Sequence, residues 1–447
     1  MNVSIIGSGY VGTTIAACLA DLGHDVVNVE IDEGIVETIN AGEAPIHEEG
    51  LAERIAEHAG TRLRATTDYD AVRETDVTFL CLPTPQADDG SLDLTVMRAG
   101  SESLGRALAP KVADEDADDH LVVVKSTVLP GTTEEVVGPI LERESGTAIG
   151  DGIDLAMNPE FLRMGTAVRD FLEPDKVVLG ATSEDAAATL RELYAPILER
   201  EGTHLVETGI REAELIKYAN NAFLAAKVSL VNELGNIAKQ YGADAYEVID
   251  AVGLDSRISE EFMRSGLGWG GSCFPKDVAA LRAGAREQGY EPELLDAAVA
   301  VNDEQPRRLV NLLESNFEAE ADDGSDGSPL EGARIAVLGL SFKPGTDDIR
   351  KSRALDVIVQ LEDRGADVVA YDPVAAENVR TKHPEFEVEY AERASTALEG
   401  ADGAVVATDW PEFDDLSFDG MRRRILVDGR RIDVDEGALE AYDGLTW

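Results

Sequence analysis

The chain has 447 residues, 44% of them hydrophobic, with 88 acidic against 39 basic residues and a formal charge of −49. The hydrophobic share excludes a disordered acidic chain, and the length allows two or three domains with ample core. The charge excludes nucleic acid or an anionic membrane as a partner. Because the acid is spread over the whole length, its self-repulsion is of the kind molar salt screens, and the sequence reads as that of a protein from a salt-loving cytoplasm.

No apolar run approaches the roughly 20 residues of a membrane-spanning helix. The start, MNVSIIGSGY, enters a strand with no basic segment ahead of it, so no signal peptide is expected. Cys18, Cys81 and Cys273 are odd in number and far apart, which suits a reducing cytoplasm without a disulfide framework. No CxxC or HxxxH pair suggests a metal, and none is expected.

The first region alternates strands with helical segments. NVSIIG, DVVNVE, DVTFLCL, HLVVVKS, DLAMN and KVVLG read as the strands of a parallel, doubly wound sheet. After the first strand comes Gly7-Ser8-Gly9-Tyr10-Val11-Gly12, which opens a helix over residues 13–21. In such a turn the first glycine permits the tight bend, the second admits a pyrophosphate, and the third lets helix pack on strand. The helix N-terminus then offers its free N–H groups to the phosphates. Glu30 closes the second strand, where a carboxylate accepts from ribose hydroxyls and repels a 2′-phosphate; the expected cofactor is NAD.

Residues 211–241 contain no proline and one glycine, Gly235, with apolar residues at helical spacing from Leu215 to Ile237. A helix of that length spans on the order of 45 Å. It is expected to connect domains and to form part of a dimer interface, the alternative being a long helix buried within the chain. Lys217 and Asn221 share one of its faces. The pair suits a developing oxyanion or a satisfied contact within the helix.

GWGGSCFPKD, residues 268–277, sets Cys273, Lys276 and Asp277 on glycine-rich backbone. A thiolate beside a cation is a nucleophile toward carbonyls, and hydride loss from the resulting adduct leaves a thioester. On physical grounds a structural role for Cys273 stands at even odds with this one. The chain has ten lysines, and Lys125, Lys217, Lys276 and Lys343 all lie in segments of unusual composition. FEAEADDGSDGSPLEG, residues 317–332, lacks periodicity and reads as a linker. Beyond it ARIAVLGL, DVVAYDP, GAVVATDW and RILVDGR spell a second α/β unit without the glycine fingerprint. The expected organisation is an N-terminal dinucleotide-binding domain over 1–207, a central helical domain over 208–312, an acidic linker over 313–332, and a second Rossmann-like domain over 333–447.

GSGYVG, LPTP (82–85), KSTV (125–128), NPEFLRMGTA (158–167), AELIKYANNAFLA (213–225), DSRI (255–258), GGSCFPKD (270–277), SFKPGTDD (341–348) and DGRR (428–431) occur in this order. With them the chain resembles the UDP-glucose/GDP-mannose dehydrogenases over nearly its full length, most of all the members that oxidise UDP-glucose. The resemblance implies two successive NAD-dependent oxidations at C6 of a nucleotide sugar, ending in a carboxylate. It implies Cys273 as the nucleophile, Glu160 as acid/base toward water with Thr127, and Lys217 with Asn221 at the oxyanion. Asp277 would hold the water and lysine network.

By the same resemblance NAD contacts Gly7, Gly9, Tyr10, Val11, Gly12, Glu30, Pro83, Thr84, Pro85, Ser126, Thr127, Lys276 and Arg350. The nucleotide sugar meets Glu160, Phe161, Leu162, Arg163, Met164, Lys217 and Asn221, and Arg257 from the adjacent subunit of a homodimer. Gly266, Leu267, Gly268, Trp269, Gly270, Phe342, Lys343 and Arg430 cradle its diphosphate. Met164 departs from the family's NPEFLxEG, which has a glutamate there. The readings left open are UDP-glucose, GDP-mannose or a UDP-N-acetylhexosamine as substrate, and a weakened nucleotide-sugar-binding paralogue.

Overall fold

The computed structural model describes residues 1–87, 89–114, 118–318 and 328–447. Two compact units emerge, one of residues 1–220 with 279–284, the other of residues 221–278 with 285–447. The helices Ile210–Gln240 and Cys273–Glu287 each contribute residues to both.

The first unit is built on an eight-stranded sheet of order β3-β2-β1-β4-β5-β6-β7-β8. Its strands are β1 (Asn2–Ile6), β2 (Asp25–Val29), β3 (Leu63–Thr66), β4 (Val77–Leu80), β5 (His120–Val124), β6 (Ile153–Met157), β7 (Lys176–Ala181) and β8 (His204–Thr208). The central strands are near-continuous runs of Val, Ile and Leu because helices cover both faces. One apolar cluster, with Ile5, Phe79 and Leu19, fills one face of the sheet, and another, with Ile6, Leu80 and Leu104, fills the other. The sheet is parallel except at β6–β7, where the pairing is antiparallel. The segment between them holds only the six-residue helix Ala167–Leu172 and leads the chain back into the sheet in the opposite sense.

The second unit repeats the plan in a six-stranded, all-parallel sheet of order β11-β10-β9-β12-β13-β14. Here β9 is Arg334–Leu338, β10 Asp367–Tyr371, β11 Glu389–Tyr390, β12 Gly403–Val406, β13 Ile425–Asp428 and β14 Ala441–Gly444. Counted from its own first strand, its order is that of β1–β6 in the first sheet.

The expected long helix runs from Ile210 to Gln240. The expected linker begins later than residue 313, because the helix Glu293–Glu318 continues to its end. Leu309, Val310, Leu313 and Phe317 keep its apolar stripe buried through that stretch. Residues 319–327 of the expected linker lie outside the described residues. Among the described residues no helix is long and apolar enough to cross a membrane.

Candidate active site

In the first unit the glycine turn lies between the C-terminal ends of β1 and β4, where the strand order reverses and open α/β sheets bind ligands. Gly7 has φ +100°, and a Cβ there would lie 2.7 Å from Cys81 O. A Cβ on Gly12 would lie 2.0 Å from Gly7 O, whereas one on Gly9 would meet nothing within 4 Å. The turn therefore closes on itself at its ends and leaves open space at its middle, the shape a pyrophosphate needs. No side chain caps the helix Tyr10–Asp21, so its N-terminal amides are left for an anion. Glu30 accepts from Ser8 N at 2.7 Å and from Ile31 N at 2.8 Å, which fixes its carboxylate beside the turn. These features fit a dinucleotide.

The expected cofactor residues beyond the turn are laced together at the ends of β4 and β5. Thr84 Oγ1 donates to Thr127 O at 2.9 Å, and Ser126 Oγ to Leu82 O at 2.6 Å. Pro83 and Pro85 flank the first of these bonds and keep the segment extended.

Beyond β6, Glu160 is half-buried, its side chain 10% exposed, and accepts from Lys217 Nζ at 2.8 Å and Leu162 N at 2.7 Å. Burial alone would raise its pKa, but the Lys217 ammonium outweighs that and holds the carboxyl below its ordinary range. Phe161 lies under two cations, Lys176 at 4.3 Å and Lys217 at 5.5 Å from its centroid. Leu162 is half-buried, and Arg163 is held by Asp170 at 2.6 Å.

Lys125, singled out by scarcity and as the first residue of KSTV, is buried and donates to Asn158 Oδ1 at 2.6 Å, which also receives Tyr194 OH at 2.6 Å. Burial pulls the Lys125 ammonium down to about 8, against the opposing pull of Cys81 and Glu160. Lys125, Asn158, Glu160, Phe161, Lys176 and Tyr194 are among the residues lining a cavity of about 40 Å³, room for roughly one or two waters. Lys176 had no sequence signal beyond lysine scarcity and Tyr194 none, whereas Asn158 opens NPEFLRMGTA.

In the second unit Cys273 is exposed and is the first residue of the helix Cys273–Glu287, with Pro275 in the first turn, where a missing N–H costs nothing. A thiol in that position is polarised toward thiolate by the helix dipole. Arg350 is raised above all by the hydrogen bonds it donates to Asp348, and Cys273 adds to the pull. Gly271 N donates to Arg350 O at 2.9 Å, so backbone ties the cysteine loop to the Arg350 segment. Asp277 is buried one turn on, accepting from Asn221 Nδ2 and Lys276 Nζ at 2.6 Å each.

The loop from Gly266 to Gly270 is sewn to the end of β13, with Leu267 N on Gly429 O at 3.1 Å and Arg430 Nη1 on Gly268 O at 3.4 Å. A Cβ on Gly270 would lie 2.2 Å from Lys351 O, which explains the glycine. Arg430 is half-buried, its guanidinium's loss of water lowers its pKa, and it also donates to Ala407 O at 2.8 Å. Lys343 lies over the Phe342 ring at 5.7 Å. Trp269 buries its ring against Ala225 and Val278 and gives its Nε1 to Ser229 Oγ at 2.9 Å; an indole of this size is drawn into the core and takes its partner there. Arg257 is exposed and paired with Asp255 at 2.6 Å, while Met164 is half-buried. Apart from the site, Asp21, Glu57 and His58 bring three possible metal-ligand atoms within 4.8 Å of one another on the first unit, where Arg54 already pairs with Asp21.

Residues 1–198 match the NAD binding domain of the UDP-glucose/GDP-mannose dehydrogenase family, residues 211–304 its central domain, and residues 336–434 its UDP binding domain. The chain belongs to the UDP-glucose/GDP-mannose dehydrogenase family. It is therefore an NAD-dependent nucleotide-sugar dehydrogenase, and the open glycine turn fits that cofactor.

Among the relatives of this dehydrogenase is the UDP-glucose 6-dehydrogenase AglM of Haloferax volcanii, 61% identical over 448 residues, covering all of both chains. A UDP-glucose dehydrogenase from the hyperthermophilic archaeon Pyrobaculum islandicum superimposes with a TM-score of 0.90 at 40% identity, over 100% of this chain and 98% of that one. A UDP-D-ManNAc dehydrogenase from Pyrococcus horikoshii gives 0.84 at 29% identity, over 100% and 99%.

Proposed function

We propose that this dehydrogenase converts UDP-glucose to UDP-glucuronate in two oxidations at C6, through a thioester on Cys273. The observation that carries the reading is an exposed thiol at a helix N-terminus, one turn ahead of a buried, amide-bonded aspartate. The identity with a UDP-glucose 6-dehydrogenase supports the choice of sugar.

NAD, when bound, accepts one hydride in each oxidation. In the first, Lys217 and Asn221 stabilise the alkoxide left when the C6 hydroxyl loses its proton, and the aldehyde forms. The Cys273 thiolate then adds to the aldehyde carbon, giving a hemithioacetal whose oxyanion the same two groups hold. Loss of the second hydride leaves the thioester. Glu160, kept ionised by Lys217, takes a proton from water as the hydroxyl adds to the thioester carbon. The C–S bond breaks, releasing carboxylate and thiol. Asp277 orients Asn221 and Lys276 throughout. Four electrons leave the sugar and two NADH are made.

The protein is proposed to act as a homodimer in a reducing cytoplasm. The long helix exposes Leu215, Phe223, Leu230, Leu234 and Ile237 on a repeating stripe, with Phe223 72% exposed, and an apolar face of this kind favours a second copy. Phe223→Asp should halve the mass measured by light scattering in molar KCl.

The activity is tested with purified protein in molar KCl, NAD and each nucleotide sugar in turn. The expected result is two NADH per UDP-glucose and none in Cys273→Ala. Turnover confined to GDP-mannose or a UDP-N-acetylhexosamine would move the substrate, and binding without turnover would point to a weakened paralogue in which Met164 is not compensated.

A further inference from the structure

The loop between Glu160 and the helix Ala167–Leu172 has backbone donors that no strand or helix satisfies. Two of them, Gly165 N and Ala167 N, donate to Glu48 at 2.9 and 2.8 Å. Glu48 sits in the connection between the helices Glu33–Asn40 and Leu51–His58 and is only 5% exposed. A charge is tolerated at such a depth only when its lone pairs are engaged. Its third donor is the Tyr10 hydroxyl, on the residue that directly follows Gly9 of the cofactor turn. The same hydroxyl accepts from Gly165 N at 3.2 Å. One buried carboxylate thus joins the first residue of the dinucleotide helix to the loop that carries Met164.

We propose that Glu48 is a positioning residue that couples cofactor binding to nucleotide-sugar binding, resting on the reading of the turn as the NAD side and of residues 160–164 as the sugar side. Order imposed on the turn by the cofactor fixes the Tyr10 ring, Tyr10 fixes the Glu48 carboxylate, and Glu48 fixes the amides of Gly165 and Ala167. The sugar then meets a loop whose ordering cost is already met, so each ligand strengthens the other by the same factor. The loop does not depend on a carboxylate at position 164 for its place, because Glu48 holds it from below.

The test uses the full chain in molar KCl with NADH and UDP-glucose, a pair that cannot react, and measures each affinity by calorimetry alone and with the other saturating. In the unmodified protein NADH should tighten UDP-glucose about tenfold, within the usual range of coupling factors. Glu48→Gln, whose amide nitrogen faces a donor, should bring the factor to within about twofold of one. Tyr10→Phe removes the hydroxyl's bonds to Glu48 and to Gly165 N, leaves Glu48 on the loop amides, and should do the same if Glu48→Gln fails to fold. A coupling factor of one in the unmodified protein, or one that survives Tyr10→Phe, overturns the inference. UDP-glucose affinity falling equally with and without NADH in Glu48→Gln also overturns it, since that is a merely structural role. Failure of the activity reading looks different: neither ligand binds the unmodified protein at all.

Discussion

The two sheets share a strand order and the same entry turn, yet treat a nucleotide differently. Gly7 N donates to Val29 O at 2.8 Å after β1, and Gly339 N donates to Tyr371 O at 2.8 Å after β9. Both glycines have positive φ, +100° and +90°, and in both a Cβ would collide with the chain leaving the neighbouring strand. Each second strand ends in an acid beside the turn, Glu30 and Asp372. There the likeness stops.

Asp372 is 3% exposed and spends its oxygens on Leu340 N, Ser341 N, Val374 N, Ala375 N and Trp410 Nε1. Glu30 accepts from Ser8 N, Ile31 N and Asp32 N but is only half-buried, so its carboxylate stays accessible. The helix after the second turn starts late, at Arg353, and Ser352 already caps it. The helix after the first turn starts at Tyr10, uncapped. A glycine turn that leads straight into an open helix end leaves its backbone donors for a pyrophosphate, whereas in the second sheet side chains already engage the donors after the turn.

The largest effect expected from breaking this comparison is at the glycines. Gly12→Ala puts a methyl 2.0 Å from Gly7 O, and NADH affinity, read by fluorescence, should fall by more than about a hundredfold, since backbone cannot yield. Gly339→Ala should instead lower the melting temperature of the protein, because its Cβ would lie 2.5 Å from the Thr408 side chain.

Next in size is Lys217→Met, expected to cut kcat by about 10²–10³-fold, as loss of an oxyanion donor does. It should also move the acid limb of the pH profile. In the unmodified protein Glu160 is held below its ordinary value, so it stays ionised as pH falls through the usual carboxylate range. Its contribution to stability is complete above the unfolded value and is lost only as pH falls through the depressed folded one. Without Lys217, burial dominates and the limb shifts to higher pH. An unmoved limb would contradict the assignment of Glu160 as base.

The smallest effect sharpens the contrast between the two acids. Glu30→Gln should weaken NAD about tenfold and relax the preference against NADP, with little change in melting temperature. Asp372→Asn should leave both cofactor constants alone and destabilise by about 1–3 kcal/mol, because an amide cannot accept every donor aimed at it.

Much of this was legible in the residues. The buried strands announce themselves as apolar runs, and the glycine turn, Cys273 and the Lys217 face are visible by type and spacing. The strands that escaped notice, β3, β8, β11 and β14, are short or exposed: β8 has no fully buried residue and β11 only two residues in all. Pattern is weak where a sheet has no core to face.

The site was legible where it uses scarce residues and hidden where it uses common ones. Lys125 stood out among ten lysines, whereas Glu48 is one of 88 acids, and nothing local marks it as buried. The resemblance places Trp269 in the loop at the sugar diphosphate, and only packing shows that its ring lies in the core. A motif places a residue on the chain and leaves the direction of its side chain to packing.

The central claim is the thioester on Cys273. Glu160→Gln should slow its hydrolysis more than its formation, so acid quenching after mixing with NAD and UDP-glucose should trap the intermediate for intact-mass and peptide mass spectrometry. The account predicts a UDP-glucuronyl adduct on the peptide containing Cys273, absent without NAD. Unmodified Cys273 at every quench time, while two NADH still form per sugar, would contradict it.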